Sequence, residues 1–196
     1  QVFLRFTGTH GQTPANVFGI YFKVQSIFLM PLFGINNASI SIVAYNSGAR
    51  QPKRITTNMK YAFGAALTIM LLGLVVFQII PDKIMGIFGS AGGEDAQAMI
   101  KMGTTAMRIV SIHFPIAAVG ISLGASFQAL GNGIYSTITS LCRQLLALLP
   151  AAYLLSLTGN VHAVWWAFPI AEIMSLIASA AFFVIVYKKI ISKIKE

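Results

Sequence analysis

The stretch from Met30 to Arg54, MPLFGINNASISIVAYNSGARQPKR, places polar and helix-bending residues inside an apolar segment. Pro31 and Gly34 lie near its start, two adjacent asparagines follow, and basic residues gather at its end. Lys and Arg are enriched in the short cytoplasmic loops of membrane proteins. We therefore interpret the stretch as part of a spanning helix, broken at Pro31 and Gly34, that ends in a basic cytoplasmic loop.

The composition of the whole chain is that of an integral membrane protein. Of 196 residues, 56% are hydrophobic and only 10% are charged, against about 25% charged in soluble domains. Several apolar runs approach the roughly 20 residues that span a bilayer. The fold class predicted is all-α, a polytopic bundle of five complete spans plus the end of a truncated one. The spans cover approximately residues 17–46, 61–80, 104–130, 135–157 and 161–187.

The net charge of +9 reflects membrane topology rather than nucleic-acid binding. Basic residues lie at helix ends and form no stripe interleaved with aromatic residues, so we expect no nucleic-acid partner. The loop at 50–60 and the carboxyl terminus are basic and are predicted to be cytoplasmic. The loop with Asp82, Glu94 and Asp95 is predicted to lie outside. These features predict a multi-pass protein of a bacterial or archaeal plasma membrane, in contact with membrane lipids.

One helical face of the first span is polar. Residues three, four, seven or eleven apart share a face, which groups Gln25, Asn36, Ser39 and Asn46. An unpaired carboxamide in lipid costs a few kcal/mol, so this stripe must face protein or water. Interhelical hydrogen bonds, local caps and a cavity lining remain open as explanations. Gln25, Asn36 and Ser39 are candidates for a substrate pathway.

The third span has two different faces. A serine face carries Arg108, Ser111, Ser122 and Ser126, and a glycine face carries His113, Ala117, Gly120 and Gly124. The Gly-x-x-x-Gly pattern favours close helix packing, so the serine face is predicted to border a cavity and the glycine face to pack. Arg108, Ser122 and Ser126 thereby become pathway candidates. His113 is interpreted as a hydrogen-bonded structural residue. Pro115, on the serine face, is a candidate hinge.

Glu172 is the only acidic residue inside an apolar segment. An ionisable group in a spanning helix is a functional hypothesis by default. It could bind a proton or cation, or it could pair with a buried base, for which Arg108 is one candidate. Pro169, on the same helix, is a further candidate for bending or packing.

The sequence contains no pattern typical of an enzyme. H-E-x-x-H, G-x-S-x-G and phosphate-loop motifs are absent, and the three histidines are scattered. Cys142 is the only cysteine, which excludes an intrachain disulfide and a thiolate cluster. We predict no catalytic residue, no metal site and no cofactor.

Several of these motifs resemble the multidrug and toxic compound extrusion (MATE) transporters. The proline, the nearby glycine and the asparagine-glycine-alanine-basic helix end of that family are matched by Pro31, Gly34, Asn46, Gly48, Ala49 and Arg50. ASFQALGNG, LCRQLLALLP and WWAFPIAE resemble the last three helices of the family in order. The resemblance implies twelve helices in two lobes. Residues 1–196 would be the carboxyl-terminal lobe, with its first helix cut at Gln1 and the amino-terminal lobe as its missing partner.

The resemblance also implies a function. Members of the family export cationic or amphipathic compounds in exchange for H⁺ or Na⁺, by alternating access of the two lobes. Some place coupling carboxylates on the first and fourth helices of the carboxyl lobe. Here the fourth helix has no Asp or Glu, so Glu172 is a secondary candidate for ion coupling. Two alternatives remain open: a flippase for lipids or lipid-linked saccharides, and a non-transporting membrane subunit.

Overall fold

Long apolar helices make up almost all of the part of the chain that the structure describes. A computed structural model describes residues 13–89 and 94–189, and no strand occurs within these ranges. The helices are α1 (Thr13–Gly48), α2 (Pro52–Ile79), α3 (Pro81–Gly89), α4 (Glu94–Ser111), α5 (Phe114–Ala129), α6 (Gly133–Leu141), a π-helical segment (Cys142–Leu148), α7 (Leu149–Ser156), α8 (Val161–Val164) and α9 (Ala167–Lys189).

These helices account for the predicted spans. By length and hydropathy, four helical stretches can each cross a membrane: 13–48, 52–79, 133–156 and 161–188. The pair α4 and α5 passes the same test together, with a bend of 48° between the two helices. Counted as one broken span, this pair brings the number of spans among the described residues to five. The all-α membrane fold is thereby confirmed.

The break predicted in the first span is wrong. Helix α1 continues from Thr13 to Gly48 as one α-helix of 36 residues with Pro31 inside it. Pro31 and Gly34 both lie on exposed faces of the helix, away from its packed side. Membrane helices tolerate an internal proline when local adjustments satisfy the carbonyl it leaves free. At 1.5 Å per residue, α1 is about 54 Å long, longer than the hydrocarbon core of a bilayer.

The span that is broken is instead the third one, and its break lies at Pro115. Helix α4 ends at Ser111, and α5 begins with Phe114, so that Pro115 occupies its first turn. Proline is tolerated there because its missing N–H would have no helical partner. Helix α4 starts at Glu94, ten residues before the predicted start of the span. The supposed outer loop also contains a further helix, α3.

An aromatic core joins α1, α2 and α5. Phe77 packs against Phe114 with ring centroids 5.2 Å apart, and Tyr21 meets Phe77 at 5.9 Å. Ala66 and Ala118, both fully buried, belong to the same cluster. A second cluster forms at the other end of these helices around Val43, Ile55, Phe127, Leu130 and Val186. The two clusters fix α5 between α1 and α2, and α9 packs against another side of α5.

The polar stripe of α1 faces the interior of the bundle, in agreement with the prediction that it meets protein or water. Its four members are buried, with exposed fractions of 4–9%, whereas the neighbouring Asn37 is exposed. Ser39 Oγ donates to Asn58 Oδ1 of α2 at 2.6 Å, an interhelical hydrogen bond. Asn46 Nδ2 donates to the carbonyl of Ile42 at 2.8 Å, a bond within the helix. At these two positions the stripe provides hydrogen bonds that hold the structure together.

Close packing around Gly73 gives a test of this arrangement. A Cβ atom at Gly73 would lie 3.1 Å from the rings of both Phe28 and Phe114. Gly73→Leu is expected to overpack this site and lower the thermal midpoint of the purified protein by roughly 3–10 °C. At Gly64, on the same helix, nothing lies within 4 Å of a Cβ, so Gly64→Leu is the matched control. The midpoints are measured by circular dichroism. Equal midpoints for Gly73→Leu and Gly64→Leu would contradict the packing described.

Candidate functional site

Two adjoining cavities lie between α1, α5, α9 and the π-helical segment. Their volumes are about 240 and 210 Å³. Five residues line both cavities and separate them, and we call these the dividing residues: Gln25, Leu29, His113, Arg143 and Glu172. The cavities therefore form two chambers of one site, with a charged pair at their boundary.

The larger cavity, the hydroxyl chamber, is lined mainly by polar and small side chains. Helix α5 contributes small residues and Gln128, whose Nε2 donates to Ser136 Oγ at 3.1 Å. Beyond the dividing residues, its lining is Phe33, Ala117, Gly120, Ile121, Gly124, Gln128, Ser136, Thr139, Ser140, Ser175 and Ser179. Hydroxyl and amide groups of this kind can donate and accept hydrogen bonds.

The smaller cavity, the aromatic chamber, has a different character. Beyond the dividing residues it is lined by Phe18, Tyr21, Phe22, Gln144, Leu148, Phe168 and Ala171. Phe18 stacks on Phe168 with ring centroids 5.7 Å apart, and Tyr21 lies 6.3 Å from both. Aromatic walls favour apolar rings and stacked planar groups.

A charged pair sits at the boundary of the chambers. Arg143 Nη1 lies 3.4 Å from Glu172 Oε2 and 3.5 Å from Oε1. The glutamate side chain is 8% exposed and the arginine side chain 36%. Charge-assisted hydrogen bonds are usually 2.7–2.9 Å long, so this contact is a long one.

The π-helical segment places Arg143 in the cavity. Proline at position 150 lacks an N–H, and in a regular α-helix its ring would clash with the carbonyl of residue 146. A wider π turn avoids that clash, and the segment Cys142–Leu148 ends just before Pro150. π-helical turns are frequent at functional sites. Among the residues that the structure describes, this turn carries the only Arg or Lys that lines either chamber.

Glu172 reaches the boundary from the second turn of α9. Pro169 lies in the first turn of this helix, where proline is well tolerated. Across the cavity, a Cβ at Gly120 would lie 3.7 Å from Glu172 Oε1. The absence of a side chain at Gly120 thus leaves room for the carboxylate next to α5.

His113 is held in place at the bend between α4 and α5. Its Nδ1 contacts the carbonyl oxygen of Val110, and its ring stacks on Phe168 with centroids 6.4 Å apart. The predicted hydrogen bond of His113 is present, but the ring lines both chambers, whereas the sequence pattern placed it on a packed face. With Nδ1 as the donor, the neutral ring keeps Nε2 as an acceptor.

The assignment of the two faces of the third span is wrong. Ser122 and Ser126 are buried, but neither lines a chamber, and Arg108 is exposed outside both. The chamber lies instead against Gly120 and Gly124, because residues without side chains leave open volume. The glycine face also packs closely: a Cβ at Gly124 would lie 3.2 Å from Ser136 Oγ.

Two further placements differ from expectation. Glu172 pairs with Arg143, not with Arg108. Asn36 and Ser39 are buried but line neither chamber, which leaves Gln25 as the pathway candidate of α1 that does. Within the described residues, the Asn36 amide has no hydrogen-bond partner.

Sequence reasoning missed the polar face of the fourth span. Ser136, Thr139, Ser140 and Arg143 are spaced at i, i+3, i+4 and i+7, which is the spacing of one helical face. That signal was present in the sequence. In the part of the chain that the structure describes, no group of three His, Cys, Asp or Glu could hold a metal ion.

One family model matches most of the chain. The family model described as MatE matches residues 2–154. The chain is 22% identical over 161 residues to an FAD transporter of Shewanella oneidensis (strain MR-1), a match that covers 82% of this chain and 34% of that protein.

Solved structures give the same result for the fold. A multidrug resistance MATE family transporter of the MOP superfamily, in an inward-facing conformation, superposes with a TM-score of 0.82 at 21% identity over 90% of this chain. A MOP superfamily transporter from Pyrococcus furiosus Vc1 (DSM3638), described as having a binding pocket of reverse polarity, gives 0.83 at 21% identity over 95%. The chain spans 40% of each of these proteins.

The charged pair can be tested by a double-mutant cycle. Arg143→Gln leaves a buried carboxylate without its partner and is expected to destabilise the protein by about 1–3 kcal/mol. Arg143→Gln combined with Glu172→Gln removes both charges and should recover most of that loss. Arg108→Gln, outside the chambers, is the control and should change stability by less than about 0.5 kcal/mol. Glu172→Gln alone completes the cycle, and all variants are compared by thermal unfolding. If the destabilisation of the double variant equals the sum of the two single effects, the pair is not coupled.

Proposed function

Because the chain belongs to the MatE family, we propose that residues 1–196 are the carboxyl-terminal lobe of a secondary transporter. The match to 40% of the length of solved transporters supports the assignment to a single lobe, since one of two lobes would be about that size. The partner of this chain is then an amino-terminal lobe, and the cavity lies on the transport pathway.

The observation that carries the proposal is a polar cavity inside an apolar bundle. A charged pair within membrane-spanning helices is costly and is usually retained for function. Arg143 and Glu172 lie between a chamber lined by hydroxyl groups and one lined by aromatic rings. Such a site offers contacts both to the apolar and to the polar part of an amphipathic compound.

The reaction proposed is export of cationic or amphipathic compounds in exchange for H⁺ or Na⁺. Glu172 is the ion-coupling candidate, since within residues 13–89 and 94–189 it is the one carboxylate lining the chambers. A proton or Na⁺ on this carboxylate would weaken its attraction to Arg143. The coupling ion and the guanidinium would thus compete for Glu172 as the two lobes alternate between inward and outward access.

The proposed orientation places the carboxyl terminus in the cytoplasm. Arg50, Lys53, Arg54 and Lys60 are exposed at the end shared by α1 and α2, where a cytoplasmic surface would carry them. The protein would then be a multi-pass component of the plasma membrane.

A second candidate function is transport of an anionic compound, including flipping of a lipid or lipid-linked saccharide. The guanidinium of Arg143 in the cavity favours this reading, and the Shewanella relative is named an FAD transporter. A pyrophosphate-bearing lipid would be better bound by several cations, whereas in the described part of the chain the chambers are lined by one Arg and no Lys. Export of smaller amphipathic compounds therefore remains the leading proposal.

Dye efflux tests the proposal directly. Cells expressing the chain from its native gene context should export a fluorescent cationic dye, and collapse of either the Na⁺ or the H⁺ gradient should abolish export. Glu172→Gln should remove the dependence on that gradient, because the amide cannot exchange a proton or bind a cation as a carboxylate does. Initial efflux rates and membrane levels are measured together.

Asp82→Asn is the control for the loss of a carboxylate. Asp82 lies in the first turn of α3, is exposed and lines neither chamber, so efflux and its gradient dependence should be unchanged. If no dye is exported at normal membrane levels, the anionic-substrate function takes first place.

A further inference from the structure

The first turns of α2 carry a groove that lies outside both chambers. Its volume is about 310 Å³, and its lining residues are Lys53, Arg54, Thr57, Asn58 and Tyr61. We call it the basic groove and propose that it binds the headgroup of an anionic phospholipid, as a site for a bound membrane lipid and not for a transported compound. This inference goes beyond the proposed transport function and does not depend on it.

The basic groove is built on one face of a packed helix. Its lining residues are spaced at i, i+1, i+4, i+5 and i+8, which groups them on one side of slightly more than two helical turns. Lys53, Arg54 and Tyr61 are exposed, and Asn58 is partly buried. Ser39 Oγ donates to Asn58 Oδ1 at 2.6 Å, which ties the middle of the groove to α1. The groove is therefore positioned by the helix packing of the bundle.

The basic groove also crosses the level at which a membrane changes from hydrocarbon to headgroups. From Tyr61 to Ile79, α2 is largely apolar and extends about 28 Å, close to the thickness of the hydrocarbon core. Tyr61 is 76% exposed at the start of this part, and tyrosine rings are enriched at membrane interfaces. Along the helix axis, Thr57 and Asn58 lie about 5–6 Å beyond Tyr61, within a headgroup layer of about 5–7 Å.

Two cations complete the basic groove at its outer end. Lys53 and Arg54 lie about 10–12 Å from Tyr61 along the axis, and their long stems allow the charged groups to reach back to the level of the phosphates. A guanidinium matches phosphate oxygens with paired N–H donors, and an ammonium binds phosphate as a point charge. In the part of the chain that the structure describes, no Asp or Glu lines the groove. Its charge is thus complementary to an anionic headgroup.

The remaining lining groups favour a lipid over a free phosphate. The hydroxyl of Thr57 and the amide nitrogen of Asn58 can donate hydrogen bonds to the glycerol and ester oxygens of a phospholipid. The ring of Tyr61 lies where the acyl chains would begin, and the apolar surface of α2 continues from there. A soluble phosphate gains nothing from this apolar part. The groove therefore offers a separate contact to each part of one lipid molecule.

Headgroup selectivity tests the proposal. Short-chain phosphatidylglycerol and phosphatidylcholine are titrated onto the transporter, purified from its native gene context, and the affinity for the first lipid bound is measured by native mass spectrometry. We expect phosphatidylglycerol to bind at least about fivefold more tightly, since each basic side chain near an anionic group contributes roughly that factor. Lys53→Gln/Arg54→Gln should remove most of this preference and leave phosphatidylcholine binding unchanged.

Lys60→Gln/Lys188→Gln is the matched control, because it removes the same charge at the same end of the bundle. Lys60 is exposed on α2 but does not line the basic groove. Lys188 is exposed on α9, close to Val186, which belongs to the same apolar cluster as Ile55 of α2. This variant should keep the native preference. Glycerol 3-phosphate, which has the phosphate without acyl chains, should not displace bound phosphatidylglycerol.

Several outcomes would overturn the inference. Equal affinity of the native protein for the two lipids would show that the groove does not select an anionic headgroup. An equal loss of preference in the two double variants would show a general attraction to positive charge, and displacement by glycerol 3-phosphate would show a site for free phosphate. Should Lys53→Gln/Arg54→Gln not accumulate as folded protein, Arg54→Gln alone is compared with Lys60→Gln under the same expectation.

The proposed function fails separately. Dye export without headgroup selectivity would refute the lipid site alone, whereas headgroup selectivity without export of any substrate would refute transport alone.

Discussion

The cavity depends on holding one guanidinium and one carboxylate inside an apolar bundle. Neither charge is stable there alone, since an isolated ion in a low-dielectric interior costs several kcal/mol even after relaxation. Their pairing at 3.4 Å lowers that cost and fixes α9 against the π-helical segment. The small side of α5 then leaves space beside Glu172, and the ring of His113 lines the same boundary. The rest of the site is arranged around this pair.

Polar residues inside the bundle serve two different purposes. Ser39 and Asn58 hydrogen-bond to each other between helices, and Ser126 Oγ donates to the carbonyl of Ser122 within one helix. Such groups are satisfied locally and add little to the chemistry of a cavity. Ser140 of α6 and Ser175 of α9, in contrast, line the hydroxyl chamber. Whether a polar residue in a spanning helix has a structural or a functional role therefore depends on what its side chain faces.

The sequence was sufficient to predict the membrane spans but not the surroundings of each helical face. Apolar length and basic loops predicted the five spans, and helical spacing predicted that Gln25 and Asn36 would be buried. Helical periodicity shows that two faces of a helix differ in composition, but it does not show whether each face contacts protein, a cavity or lipid. Glycines on α5 were consistent with close packing or with open space, and Gly124 provides both. The pairing of Glu172 with Arg143 depends on the π turn. A regular α-helical projection of the sequence does not include this turn and therefore gives the wrong direction for the Arg143 side chain.

That π turn also sets the helical phase of the fourth span. A π segment behaves as one extra residue inserted into an α-helix, so the faces before and after it are offset by about 100°. The serine and threonine face of α6 and the apolar surface of α7 thus need not lie on one straight line along the helix. Loss of a single residue between Cys142 and Leu148 would restore regular winding and rotate one half of the span relative to the other. The number of residues in this span therefore decides which side chains line the cavity and which face lipid. An insertion or deletion here would disturb the site as much as a substitution in its lining.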